Sequence, residues 1–414
     1  MKAQPPKRAL QFLRWFCRED YLEEFEGDLI ELFEKHFEAS PKKAKRKFFW
    51  GVMRSFRPGF TKAFYKVNYS ITTAMFKNNL KVAWRNALRQ PFFTFLNTSG
   101  LAIGMAGALI ITLFLHDELS FDKMFADANR IYRVNIDNRT AGETNHFAAV
   151  SSPLANVMQS DFSQAEMITR LRVSNSILLK AVDAEQNVKD YVAGADSTFF
   201  EMFGLKLLYG NAKNALEKPN SIVLTKTATL KHFDLDEALG QSMVLNNDEV
   251  YVVTGVIDDL PKNSFLRNHQ VFISLSSFDY AKSLAWNTWS FPTFVKLRPT
   301  ANEENLQAYL STVKDRYLIP WAMTFMPGLT VESAKEMEKS SGDFMRFTPI
   351  ALTDIHLHSP NIEDELSTNS DIQNVYILAA VGLFLILLAC VNFMNLSTAR
   401  SLKRSGGTQN FRQQ

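Results

Sequence analysis

Cysteine is almost missing from this chain of 414 residues, which has two, Cys17 and Cys390. They stand near opposite ends, so the long middle of the chain holds no thiol and cannot contain a disulfide. Charge of one sign is not in excess either. The formal net charge is +3, which gives no electrostatic reason to expect a nucleic-acid partner. The short signatures of common chemistries are also absent: there is no G-x-x-x-x-G-K-[ST] phosphate loop, no H-E-x-x-H, no G-x-S-x-G and no C-x-x-C. Catalytic, cofactor-binding and metal-binding residues are therefore all expected to be none. A cleavable signal peptide is not recognisable, because the apolar positions after the basic N-terminus are interrupted by Arg14, Arg18 and Glu19.

What the chain does have is two long runs without charge. Pro91 to Leu115, PFFTFLNTSGLAIGMAGALIITLFL, carries no ionisable side chain between Arg89 and His116. Ile372 to Ala399 is equally uncharged between Asp371 and Arg400, with VYILAAVGLFLILLACV in its middle. A helix of roughly 20 apolar residues spans the ~30 Å hydrocarbon core of a bilayer, so both runs are expected to be transmembrane helices. A mean hydropathy of -0.12 hides them, because the polar remainder dilutes the average.

The flanks set an orientation. Lys77, Lys81, Arg85 and Arg89 precede the first run, and Asp117, Glu118 and Asp122 follow it. Glu363, Asp364, Glu365 and Asp371 precede the second, and Arg400, Lys403 and Arg404 follow. By the positive-inside rule both termini are cytoplasmic and the middle is outside.

Before the first run, Leu22, Phe25, Leu29, Leu32, Phe33 and His36 recur at helical spacing among glutamates, with Asp20 as N-cap and Ser40-Pro41 as stop. The basic run Lys42 to Lys47 leads into a second helix of the hairpin, and its charges are read as a solvated face or an anionic-lipid contact. In MFKNNLKVAWRNALRQ, Phe76, Leu80, Trp84 and Leu88 lie four apart with the cations Lys77, Lys81, Arg85 and Arg89 one position behind. This pattern predicts a helix lying in the membrane interface. Within the first apolar run, Gly100, Gly104, Gly107 and Ala108 form a small-residue surface for close approach of another helix, with the second run as a candidate. Asn392 and Asn395 lie where they reach interfacial water or a neighbouring helix.

The middle reads as α+β. Ile131–Ile136, Ser221–Leu224, Tyr251–Ile257, Val271–Leu275 and Thr293–Leu297 are short β-rich runs. Ser197 is expected to cap a helix over TFFEMF that Gly204 ends, and Leu306, Leu310, Val313 and Tyr317 mark a longer helix. His356 and His358 in DIHLHS, two apart on a strand, would face one ion together, but with no third ligand in view they read as two surface histidines. Asp258 and Asp259 read as a turn after a strand.

YRV at Tyr132–Val134, VAGADSTFFEMFGLKLLYGN from Val192 to Asn211, SIVLTK, TGVIDDLPKNS, and DIHLHS followed by CVNFMNLSTARS resemble ABC transporter permeases of the MacB and FtsX type, in the form common in Bacteroidetes. LRWFCREDYLEEFEGDLIELFEKHF is similar to the cytoplasmic prefix domain some of these permeases carry. The resemblance implies a non-catalytic permease subunit of the bacterial inner membrane. A separate ABC-type ATPase would move its membrane helices, and the motion would reach the periplasmic domain for export, lipoprotein release or mechanotransmission. It also implies a homo- or hetero-dimer of permeases and a periplasmic adaptor as partners, alongside the lipid bilayer. The basic segment that continues such permeases is not matched after Arg404, so the chain is expected to be an N-terminal half, by truncation or a shifted reading frame after its second span, with a natural half-size subunit that dimerises as the alternative.

The expected organisation is a cytoplasmic helical prefix over residues 1–70, an interfacial helix over 71–90, a transmembrane helix over 91–116, an extracytoplasmic α+β domain over 117–371, a second transmembrane helix over 372–399, and a short polar tail over 400–414, expected to be disordered. The alternative from another class is a two-span membrane sensor or scaffold with an outside ligand-binding domain.

Overall fold

Apolar side chains three and four positions apart, with charged ones between them, make the N-terminal residues helical. The computed structural model describes residues 5–37, 40–56, 60, 69–89, 91–173, 176–363 and 365–409, in two compact units, residues 1–100 and 101–414.

In the first unit, α1 (Lys7–Phe16), α2 (Glu19–Phe37) and α3 (Pro41–Arg54) share a core of Leu13, Phe16, Cys17, Phe33, Ala44, Phe48 and Val52. A Cβ on Gly51 would stand 2.5 Å from Leu29 Cδ2, so the Leu29 side chain of α2 packs directly on the backbone of α3 at this glycine. Because α2 begins at Glu19, Asp20 sits in its first turn rather than at the N-cap; there its charge favours the positive end of the helix. Ser40 precedes Pro41, which opens α3 at the position proline tolerates best. Helix α4 (Tyr69–Arg89) leaves the stripe Phe76, Leu80, Trp84 and Leu88 uncovered, and α5 (Pro91–Leu119) follows.

The second unit holds the rest of α5, a central domain and the long helix that ends the chain. Strands come first as β1 (Ile131–Thr140), β2 (Glu143–Phe147), β3 (Val150–Ser151), β4 (Ala165–Val173), β5 (Ile177–Ala181), β6 (Val188–Asp190), β7 (Val192–Ala195) and β8 (Leu207–Gly210). Then follow β9 (Ser221–Thr225), β10 (Ser242–Leu245), β11 (Glu249–Ile257), β12 (Val271–Ser274), β13 (Trp289–Phe291), β14 (Thr293–Leu297) and β15 (Phe344–Ala351). Thirteen of them form one mixed sheet in the order β15-β1-β14-β4-β7-β12-β9-β11-β10-β5-β6, with β2 added to β1 and β8 to β11. The long strand β4 makes this continuous, since Ala165–Arg170 pair with β14 and Leu171–Val173 with β7.

The helices are α6 (Ser152–Asp161), α7 (Phe199–Met202), α8 (Lys226–Thr229), α9 (Glu303–Val313), α10 (Ile319–Met323), α11 (Val331–Ser341), α12 (Ile355–His358) and α13 (Ile372–Gln409). Leu306, Leu310 and Val313 of α9 pack with Val134, Ile136, Val295 and Phe347 over one half of the sheet, and Leu179, Ile222, Leu224, Tyr251 and Val253 form the core of the other half. Between them lies a phenylalanine-rich core of Phe125, Phe199, Phe200, Phe203, Phe265, Phe272 and Phe294.

Among the described residues, two helices are long and apolar enough to cross a membrane, Thr94–Leu119 and Ile372–Met394, and only 11% and 6% of their most apolar windows are buried. They pack antiparallel. A Cβ on Gly104 would stand 3.4 Å from that of Ala389, one on Gly107 3.1 Å from Leu385 Cδ1, and one on Gly382 3.1 Å from Ile111 Cγ2. Gly104, Gly107 and Ala108 thus form the close surface predicted for them, whereas Gly100 is exposed.

Three further expectations are corrected. Helix α7 has Thr198, not Ser197, at its N-cap, with no side-chain capping bond, because the Thr198 hydroxyl donates to Ile168 O at 2.6 Å; Gly204, with φ +64°, follows it as expected. DIHLHS is a helical turn, α12, rather than a strand. The polar tail is helical as far as Gln409, because extending a helix already nucleated costs little even where propensity is low.

Candidate functional site

Helices α5 and α13 reach the central domain at one place. The last turn of α5 brings Glu118 to His356 of α12, with Oε2 and Nε2 3.0 Å apart. One residue past Ser120, the Phe121 ring lies against the same imidazole. Asp122 then turns the chain with φ +58°, a left-handed conformation that Asp adopts more readily than most residues. Its backbone N–H donates to Asn263 O at 3.0 Å, and its Oδ1 accepts the Phe265 N–H at 2.9 Å. Asn263 returns the contact, its Nδ2 donating to Ser120 Oγ at 2.9 Å. The loop after β11 therefore grips the exit of α5.

The segment leading into α13 is held as closely. Arg133 of β1 is wholly buried, and its Nη1 donates to both Glu365 oxygens at 2.6 Å while Nε donates to Asn135 Oδ1 at 2.8 Å. Glu365 also accepts from the Leu366 N–H and from Asn369 Nδ2, each at 2.9 Å. Arg267 lies over the Phe121 ring, 5.0 Å from its centroid, and donates to the carbonyl and hydroxyl of Thr368. Ser370 N–H donates to His356 O at 2.8 Å, and Asp371 caps the start of α13 by accepting the Gln373 N–H.

Burial decides the charge states here. It pushes the Asp122 carboxyl up to about 7, against the Phe265 amide and Ser264 hydroxyl that favour its ionised form; Glu365 adds slightly and Arg267 opposes. Asp122 Oδ2 has no hydrogen-bond partner of normal geometry. Burial likewise holds His356 below the usual imidazole range despite the neighbouring Glu118. The network ties the end of α5, the loop after β11, β1, α12 and the segment before α13 to one another.

The other residues singled out in the sequence fall elsewhere. His356 is buried and His358 exposed, so the two imidazoles do not face one ion and are not two surface histidines; the helical turn separates them as a strand would not. Asp259 accepts from the Thr227 N–H and hydroxyl, tying the turn after β11 to α8. Among the described residues no group of three or more His, Cys, Asp or Glu gathers into a metal-binding set. Sequence reasoning missed Arg133, Glu365, Phe121 and Arg267. Glu365 was visible only as part of an acidic flank, and the cation within the β-rich run IYRVNI is the signal that could have singled out Arg133.

A family profile described as MacB-like periplasmic core domain matches residues 94–313, from inside α5 to the end of α9 and over more than half of the chain. This chain belongs to that family. The MacB-like domain is a component of ABC-type transporter permeases. Among solved structures, one described as a domain of a permease protein from Porphyromonas gingivalis is 21% identical, with a TM-score of 0.44 over 55% of this chain and 91% of that one. The periplasmic region of MacB from Actinobacillus actinomycetemcomitans is 16% identical, with a TM-score of 0.34 over 54% and 92%. The extracellular domain of the noncanonic ABC-type transporter YknZ from Gram-positive bacteria is 12% identical, with a TM-score of 0.32 over 49% and 90%. No curated protein matches the chain.

Proposed function

We propose that this chain is a permease subunit of a MacB/FtsX-type ABC transporter. In this reading α5 and α13 cross the cytoplasmic membrane, both termini are cytoplasmic, and the MacB-like domain works outside. An ATPase on another polypeptide moves the two helices, and the domain delivers that motion for export, lipoprotein release or mechanical control of an outside partner. A second permease copy and a periplasmic adaptor belong to the same reading.

The observation that carries it is the junction. Two antiparallel apolar helices enter the domain through one network, Glu118–His356 on one side and Arg133–Glu365 on the other. A displacement of either helix is thereby felt by β1, a strand next to both β14 and β15.

The test is purification of the tagged chain in mild detergent from its own membranes, with ATP hydrolysis measured on what is retained. Retention of an ATP-binding cassette polypeptide, with hydrolysis altered when Glu118 and Glu365 are both replaced by Gln, supports the reading. A chain that retains no ATPase, or an ATPase indifferent to those changes, overturns it.

A further inference from the structure

Helix α3 buries one stripe, Ala44, Phe48 and Val52, against α1 and α2 and leaves the rest of its surface uncovered. On that surface stand the exposed cations Lys42, Lys43, Lys45, Arg46, Lys47 and Arg54. With them stand three large apolar side chains, Phe49, Trp50 and Met53, of which Trp50 is 66% exposed. Among the described residues none of the six cations pairs with a carboxylate; Lys47 meets only His36, at 3.3 Å. Arg46, Lys47, Trp50, Gly51 and Arg54 line an open depression in which three cations surround an indole. The neighbouring helix has the opposite sign, for α2 exposes Glu23, Glu24, Asp28, Glu31 and Glu34.

We propose that this face of α3 lies on an anionic lipid surface, with its cations on lipid phosphates and Trp50, Phe49 and Met53 at headgroup level. Basic residues draw a helix to anionic lipid, and exposed indole and phenyl rings are suited to the interface, where one end is wet and the other apolar. The acidic residues of α2 disfavour approach by the side that α2 presents. Nucleic acid would be attracted by the same cations but gives an exposed methionine no burial. The proposal rests on the reading of α5 as a membrane span for one step: the apolar run that starts at Pro91, fewer than forty residues after Arg54, keeps α3 within reach of a bilayer.

The test uses the whole chain in vesicles of phosphatidylcholine, with or without phosphatidylglycerol, each doped with brominated lipid. Trp50 emission is taken as the difference between the chain and its Trp50→Phe variant. Quenching that requires phosphatidylglycerol, and that needs about tenfold more of it when Lys42, Lys43, Lys45 and Arg46 are all replaced by Gln in a chain of unchanged helix content, is the expected result. Equal quenching in both lipids, or none, overturns the proposal, as does an oligonucleotide that perturbs Trp50 more strongly than anionic vesicles. An alkaline wash that strips the chain from vesicles would instead count against the span, and quenching by added anionic vesicles would still decide the role of α3.

Discussion

The His356 imidazole lies flat on the Phe121 ring, with centroids 3.6 Å apart and planes 8° from parallel, while its Nε2 meets Glu118. The end of α5, the loop after it and the distant turn α12 are thus joined through one side chain. Replacing His356 by Ala removes the stack and strands a largely buried carboxylate, which should cost on the order of 2 kcal/mol. His356→Gln, which keeps a donor for Glu118, should recover part of it in thermal unfolding. Equal loss in both variants would mean that the Glu118 contact contributes nothing.

Asp122 should make the domain less stable at alkaline pH. Its folded pKa, about 7, is above the unfolded value of 3.8, so stability is fully present below about 3.8, falls as pH rises, and levels off above about 7. Asp122→Asn keeps an acceptor for the Phe265 N–H and tolerates φ +58°, and should gain up to about 4 kcal/mol at pH 8 and progressively less toward pH 4. Denaturation at several pH values would show it; a gain independent of pH would refute the assignment. His269, lowered to about 4 by burial, has the opposite sign and removes stability as pH falls from about 6.5.

The Arg133–Glu365 pair is buried, so removing one partner leaves an uncompensated charge. Glu365→Gln or Arg133→Met alone should cost about 3–5 kcal/mol, whereas Arg133→Met with Glu365→Leu should restore most of the loss. A double variant as unstable as the sum of the single ones would contradict the pairing.

Gly104 and Ala389 are placed so that cysteines at both sites would form a bridge, since the 3.4 Å between Cβ positions is close to that of a natural disulfide. In a chain whose own Cys17 and Cys390 are replaced by Ala, Gly104→Cys with Ala389→Cys should cross-link on mild oxidation in membranes. Gly100→Cys with Ala389→Cys should not, and the reverse outcome would shift the helix register.

The parts legible from sequence were those written in local periodicity. Charge-free runs showed both long helices, and β-branched clusters such as YVVTGVI and TFVKL matched β11 and β14. Strand β15, FMRFTPIA, went unread because its proline and arginine look unlike a strand until it is seen as an edge, where both are tolerated. The junction was illegible for a different reason. Arg133 and Glu365 are 232 positions apart, and nothing in one sequence states which acid answers a cation at that distance. His356 was misassigned because alternation over DIHLHS fits a strand and a single helical turn equally well.

Strands β1 and β15 lie side by side from Tyr132 opposite Ala351 to Arg139 opposite Phe344, and the helices are attached at the Tyr132 and Ala351 end of both. The ladder is thus a zipper with both pull tabs on the same side. Helices that move together along their axes load the two strands alike and leave the ladder unstressed. Helices that splay apart peel it, breaking one pair at a time from the open mouth. Arg133, the second rung, is also the residue that clasps Glu365 in the strand-to-helix segment, so the clasp stands where tearing would begin. A domain tethered in this way resists shared strokes and is vulnerable to unequal ones.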